Sequence, residues 1–199
     1  MADDRAERVR TREFFGERAA GWDAKFPDDG PRYAAAVAEI APGEGAFVID
    51  AGCGIGRALP LLREAVGPRG TVLGVDLTPE MLARAARHRA YAALVLADCA
   101  ALPLPDGVVD LVFGAGLISH LPGPAEGLRE LARVTAPGGR LALYHPIGRA
   151  ALAARHGRAI TPDDLRAEPN LGPLLAANGW RLVSYTDTDE RFLAVAERV

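Results

Sequence analysis

Residues 48–56 read VIDAGCGIG, an apolar run that ends in a carboxylate, Asp50, and passes into glycines at 52, 54 and 56. Glycine brings no side chain to pack and loses more conformational freedom on folding than any other residue, so this density needs a reason. A glycine-rich turn between a strand and a helix supplies one: it lets a ligand touch backbone, while the helix N-terminus adds inward N–H groups and positive dipole. The spacing Gly-x-Gly-x-Gly is not the GxGxxG of dinucleotide pyrophosphate sites. Taken alone, it also fits a tight βα turn.

Outward from this stretch, strand-length apolar runs alternate with segments of helical period. The pattern predicts strands at 46–50 (AFVID), 71–75 (TVLGV), 93–97 (ALVLA), 108–113 (VVDLVF) and 140–145 (RLALYH), with helices over about 55–66, 79–90 and 123–135. Strands apolar on both faces, joined through helices, indicate a parallel sheet covered on both sides, an α/β, doubly wound, Rossmann-like arrangement. Thr78 is placed to cap the second helix, with Pro79 at its first position. After a helix near 170–178, the runs WRLVSYT (180–186) and RFLAVAE (191–197) are only four residues apart. That is too short for a parallel crossover, so they form a hairpin and one late strand runs antiparallel. Residues 1–40 read as a helical segment of high aromatic density, with Phe14, Phe15, Trp22, Phe26 and Tyr33.

Composition removes several functions. The 199 residues are about half apolar and a quarter charged, as in soluble globular domains. The basic residues are 22 arginines and a single lysine, Lys25, so no GxxxxGK[ST] phosphate loop exists. A Tyr-xxx-Lys dehydrogenase pair has no support either. A net charge of −3 gives no footprint for nucleic acid. Arg5, Arg8 and Arg12 share a helical face, but Asp3, Asp4, Glu7 and Glu13 lie among them, which reads as a solvated helix. Two cysteines, Cys53 and Cys99, without CxxC spacing give neither a disulfide framework nor a metal site. The charged N-terminus and the absence of any apolar run near 18 residues set the expectation of a cytoplasmic protein without membrane insertion.

Two further strand ends carry carboxylates. Asp76 ends the second strand in GVDLTPEML, twenty residues beyond Gly56, where its two oxygens are suited to accept from both ribose hydroxyls of a nucleoside lying across the strand ends. Asp98 ends the third in LADCAALPLPDG and is suited to accept from an adenine amine. The fourth run ends in glycine and alanine, FGAGLISHL, and is followed by EGLRELARVTAPGGRLAL.

Through VIDAGCGIG, GVDLTPEML, ADCAALPLPDGVVDLVF and RELARVTAPGGRL, about residues 46–146, the sequence resembles the class I S-adenosylmethionine-dependent methyltransferases, especially small-molecule enzymes of the ubiquinone and menaquinone type. The resemblance implies S-adenosyl-L-methionine as cofactor and a sheet of order 3-2-1-4-5-7-6 with one antiparallel strand. It implies a lid segment over 1–40 and a cofactor-binding domain over 41–199. Gly52, Gly54 and Gly56, with Cys53 among them, would border the methionine part, and Asp50 would order the loop and face the cofactor ammonium. Asp76 would take the ribose, Asp98 and the Cys99 amide the adenine, with Leu77 and Met81 on its face and Gly114 at the end of the fourth strand. The sequence also departs from the family. Trp22, in FFGERAAGWD, stands where tyrosine is frequent, and the stretch between the fifth strand and the hairpin leaves little room for a substrate-binding insertion. No NPPY-like tetrapeptide follows the fourth strand.

Where an acceptor must lose a proton, histidine is the side chain suited to take it. His120 and His145 both fall at the expected mouth, as bases or as residues that order their loops. In HPIGRAALAARHGR, Arg149 and His156 lie seven apart on one helical face and would clamp an anionic acceptor, unless that face is merely solvated. Phe15 and Trp22, with Phe14, form an apolar lid over a small-molecule acceptor or belong to the core. A noncatalytic module that binds S-adenosylmethionine or S-adenosylhomocysteine for a partner is the rival reading, and another nucleotide on the same fold is a second. Oligomeric state is not legible.

Overall fold

The computed structural model of the chain describes residues 2–25 and 29–199, so Phe26 lies outside the described residues, as do the side chains of Asp3, Asp4 and Arg5. β1 (Phe47–Ala51) is apolar on both faces, and four of its five residues are buried. It lies between β2 (Thr71–Asp76) and β4 (Val109–Ala115) and runs parallel to both. β3 (Ala93–Leu96) pairs parallel outside β2, and β5 (Thr135–His145) parallel outside β4. The hairpin is present: β6 (Trp180–Thr188) and β7 (Arg191–Arg198) pair antiparallel, and β7 also pairs antiparallel with β5. The sheet order is therefore 3-2-1-4-5-7-6, with β7 the one strand against the rest.

Helices fill both faces. α3 (Gly30–Ile40) and α4 (Leu59–Val66) bury Ala36, Val37, Ile40, Leu59, Leu62 and Val66 against one side. On the other, α6 (Pro124–Val134) and α8 (Glu168–Ala176) bring Leu128, Leu131, Leu171 and Leu175 beside Trp180, whose indole N–H donates to the Leu128 carbonyl at 2.9 Å. The segment 1–40 divides: α3 is a core helix, whereas α1 (Ala2–Arg18) and the short α2 (Trp22–Lys25) lie outside the sheet layers, α1 against α5 (Pro79–Ala85). Among the described residues no helix is long and apolar enough to cross a membrane.

Three boundaries differ from the sequence expectation. α4 starts at Leu59 because residues 52–56 are spent on glycines with positive φ, which no α-helix accommodates. The helix expected over 79–90 stops at Ala85 and continues as a 3-10 turn, Ala86–His88. β5 begins at Thr135: the APGG stretch lies inside the strand, where a register shift against β4 and a positive φ at Gly138 absorb its irregularity. Thr78 precedes α5 in the extended conformation of a cap residue, but its side chain makes no cap bond. Its N–H donates instead to Asp76.

Candidate active site at the strand ends

The loop after β1 turns through Gly52, Gly54 and Gly56 at φ of 65°, 54° and 84°. Side-chain-bearing residues rarely adopt these values, so the glycines are dictated by the backbone. At Gly56 a Cβ would also lie 2.9 Å from Leu59 Cδ1 and His88 Cδ2. The turn holds Asp76 beside it: the Gly54 N–H donates to one Asp76 oxygen and the Thr78 N–H to the other, each at 2.8 Å. One carboxylate oxygen thus meets the glycine loop and the other the residue that precedes α5. Burial raises the Asp76 pKa, with these hydrogen bonds opposing it. Asp50, only 2% exposed, is raised well above the ordinary carboxylate range by burial first and by the nearby Asp76 second.

Met81 is buried with Ile55 and Ala19, and Phe15 and Trp22 close over that cluster; Leu77 is half-buried. Asp98 accepts the Ala100 N–H at 2.9 Å, and its other oxygen pairs with the Arg8 guanidinium. Arg8 was expected on a solvated face; α1 instead lays it across the carboxylate expected to hold adenine. The loop beyond Asp98 is stapled by α6: Glu130 accepts the Leu102 N–H at 2.7 Å and Arg133 donates to the Leu104 carbonyl at 2.9 Å. This is the physical content of the RELAR segment. The Cys99 thiol, pushed up to about 12 by burial and then by Asp76, lies against the Gly52 backbone, and the buried Cys53 thiol is raised as well. Both are protonated at neutral pH and are packing groups. A Cβ at Gly114 would stand 2.8 Å from Leu117 Cδ2, and one at Gly52 3.1 Å from Leu117 Cδ1. Leu117, which sequence reasoning missed, therefore fills the angle between the two loops.

At the ends of β4 and β5 the groups are different. His120 closes a 3-10 turn, with the Phe15 ring edge-on at 5.0 Å and the Phe14 ring stacked at 6.4 Å; Phe15 also meets Trp22 at 5.5 Å. His120 is exposed, yet desolvation by the groups packed against it, and then the Arg166 charge, lowers its pKa. His145 anchors Nδ1 on the Ile147 backbone and is lowered chiefly by burial, with Arg166 and His120 contributing. The structure does not bring Arg149 and His156 together as a clamp. Arg149 Nε is tied to Asp187 at 2.8 Å and its Nη1 to Asp164 at 3.6 Å, while His156 follows the last turn of α7 (Arg149–Arg155), exposed to solvent. Arg166, from the connection before α8, is held by the same Asp164, which accepts from its Nη2 at 3.2 Å.

Residues 49–143 match the methyltransferase domain family. Trans-aconitate 2-methyltransferase of Methylobacterium nodulans is 41% identical over 132 residues, which is 64% of this chain and 50% of that protein. Demethylmenaquinone methyltransferase of Shouchella clausii is 38% identical over 103 residues, 49% of this chain and 43% of that protein. An S-adenosylmethionine-dependent methyltransferase from Aquifex aeolicus superposes with a TM-score of 0.71 at 26% identity, covering 84% of this chain and 89% of that one. The chain spans between 31% and 50% of the length of the first curated relatives it matches.

Proposed function

We propose that this chain is an S-adenosylmethionine-dependent methyltransferase that methylates a small organic acceptor at oxygen, nitrogen or carbon, a reading supported by its match to the methyltransferase domain family and by the relatives named above. The observation that carries the reading is the glycine turn with three positive φ angles locked by backbone N–H donation to Asp76, beside a second strand-end carboxylate at Asp98. These residues suit the cofactor's parts: Asp76 the ribose hydroxyls, Asp98 the adenine amine, buried Asp50 and the loop backbone the amino acid end. S-adenosylmethionine supplies a methyl group on a sulfonium, whose in-line displacement depends mainly on alignment of the acceptor.

For an acceptor that sheds a proton, His120 and His145 are the neutral bases available, since enclosure lowers both below the ordinary histidine value. Phe14, Phe15 and Trp22 contribute an apolar wall. The names of the relatives, trans-aconitate and demethylmenaquinone methyltransferases, support a small-molecule acceptor, and the net charge of −3 argues against nucleic acid. A cytoplasmic setting belongs to the same proposal.

The test is parallel calorimetric titration with S-adenosylmethionine, S-adenosylhomocysteine and NAD, followed by a mass-shift screen of small acceptors. Micromolar binding of the two adenosyl ligands without NAD, then a gain of one methyl on an acceptor, is the expected result. A folded protein that binds neither adenosyl ligand removes the proposal.

A further inference from the structure

Arg57 directly follows the glycine turn, and its side chain reaches the N-terminal helices. The guanidinium is 18% exposed: Nη1 meets the buried Asp29 at 3.3 Å, and Nη2 donates to the Trp22 and Asp23 carbonyls, each at 3.5 Å. Asp23 in turn grips Arg87, from the 3-10 turn after α5, with both oxygens, at 2.6 and 3.2 Å. A planar fork serves a carboxylate and two carbonyls at once, a pattern that the point charge of a lysine does not match. α2 has four residues and α1 is charged along most of its length, so helix propensity alone seats neither of them. Arg57 and Arg87 supply ties that do.

Residues 54–57 reach both halves of the site. Gly54 donates its N–H to Asp76, Ile55 packs with Ala19 and Met81 against Phe15 and Trp22, and Arg57 holds the backbone at Trp22. Phe15 in turn stands edge-on to His120 at 5.0 Å. The aromatic wall beside His120 is therefore mounted on the loop that fixes Asp76. Packed side chains and ion pairs of this kind carry a displacement from one site to its neighbour.

We propose that Arg57 is a positioning residue: it fastens the Phe15 and Trp22 wall to the glycine turn, so that cofactor binding at the turn sets the wall against which the acceptor docks. The cofactor then binds first and the acceptor second. This inference rests on the methyltransferase reading for the identity of the ligand that sets the loop, whereas the fastening itself does not depend on it.

Arg10 and Arg18 in α1 are trypsin sites, and cleavage within a helix requires local opening, so its rate reports how firmly the wall is seated. Saturating S-adenosylhomocysteine should slow cleavage of the wild-type protein at these sites at least about fivefold. Arg57→Gln should raise the unliganded rate and lose most of that protection, while its S-adenosylhomocysteine Kd by calorimetry stays within about threefold of wild type. Arg57→Lys should restore part of the protection. Asp23→Asn, on the wall side of the contact and 54% exposed, leaves the turn intact and should reproduce the loss. Protection that survives Arg57→Gln, or its absence in wild-type protein that binds the ligand, overturns the proposal. So does a loss confined to Asp23→Asn, which assigns the fastening to Arg87, or a loss of affinity and protection together in Arg57→Gln, which makes Arg57 part of the cofactor site. If S-adenosylhomocysteine does not bind the wild-type protein, the methyltransferase reading fails, and the fastening is decided without ligand: equal cleavage rates in wild type and Arg57→Gln overturn it.

Discussion

At the ends of β2 and β3, Asp76 and Asp98 are set by backbone: the first takes the Gly54 and Thr78 N–H groups, the second the Ala100 N–H, with the Arg8 guanidinium added on its other oxygen. Beyond the end of β5, polar side chains meet polar side chains, some drawn from far along the sequence: Asp164 and Asp187 hold Arg149, and Asp164 also holds its near neighbour Arg166. The difference teaches how each half tolerates change. A carboxylate fixed by main-chain donors keeps its place whatever surrounds it, so the fold itself specifies that half. A side-chain network is specified only by its members, and one exchange re-aims it.

The largest effect expected from breaking the first half is at Asp76. Asp76→Ala removes the acceptor for two backbone donors and for the ribose, and should weaken S-adenosylmethionine by about 1.5–3 kcal/mol, roughly 10- to 150-fold in Kd by calorimetry. Arg166→Gln should leave that Kd unchanged, which sharpens the division between the halves. Equal losses in the two variants would erase it.

A smaller effect, with a pH signature, belongs to Asp50. Its carboxyl is raised by burial and then by Asp76, so the folded state favours the protonated form. Stability from such a group is full below the unfolded carboxylate value and is lost as pH rises through the folded one. Asp50→Asn should therefore raise the apo Tm at pH 7 by roughly 2–4 °C, the shift that about 1 kcal/mol gives in a chain of this size, and the gap should close toward pH 4. The same variant should bind S-adenosylmethionine more weakly. A Tm gain that is independent of pH would exclude burial of the charge as its source.

The smallest effect is expected at Arg8. Its pair with Asp98 is partly exposed on both sides, 32% and 16%, and such pairs contribute about 0–1 kcal/mol. Arg8→Ala should tighten S-adenosylmethionine by no more than roughly fivefold if the guanidinium competes with adenine. A loss of affinity would instead make Arg8 part of the cofactor site, and would show that the backbone-built half borrows a side chain from α1.

The parallel strands, the hairpin and the glycine turn were legible because each follows from local rules, namely apolar runs, loop lengths and glycine spacing, whereas the sheet order was legible only through the family resemblance. Asp76 and Asp98 were legible as strand ends. Arg8 was misread because its partner lies 90 residues away and the surrounding acidic residues supply a local explanation. Arg149 was misread for a related reason. Helical spacing put it near the mouth, but only the fold shows that Asp164 and Asp187 already hold it. Leu117 carried no signal, since a leucine after a glycine-rich strand end is indistinguishable from core.

The placement of β7 between β5 and β6 also bears on how the chain is made. During synthesis β5 is complete at His145, yet its outer neighbour is not read until residues 191–198, after β6 has emerged without a partner. At ribosomal rates of about 5–20 residues per second, that leaves the β5 edge open for roughly 3–10 s. An unpaired inner strand is a template for any other chain nearby. The nascent protein is therefore most exposed to misassembly in the interval just before its sheet closes, and variants that weaken β7 should lengthen that window before they alter anything at the strand ends.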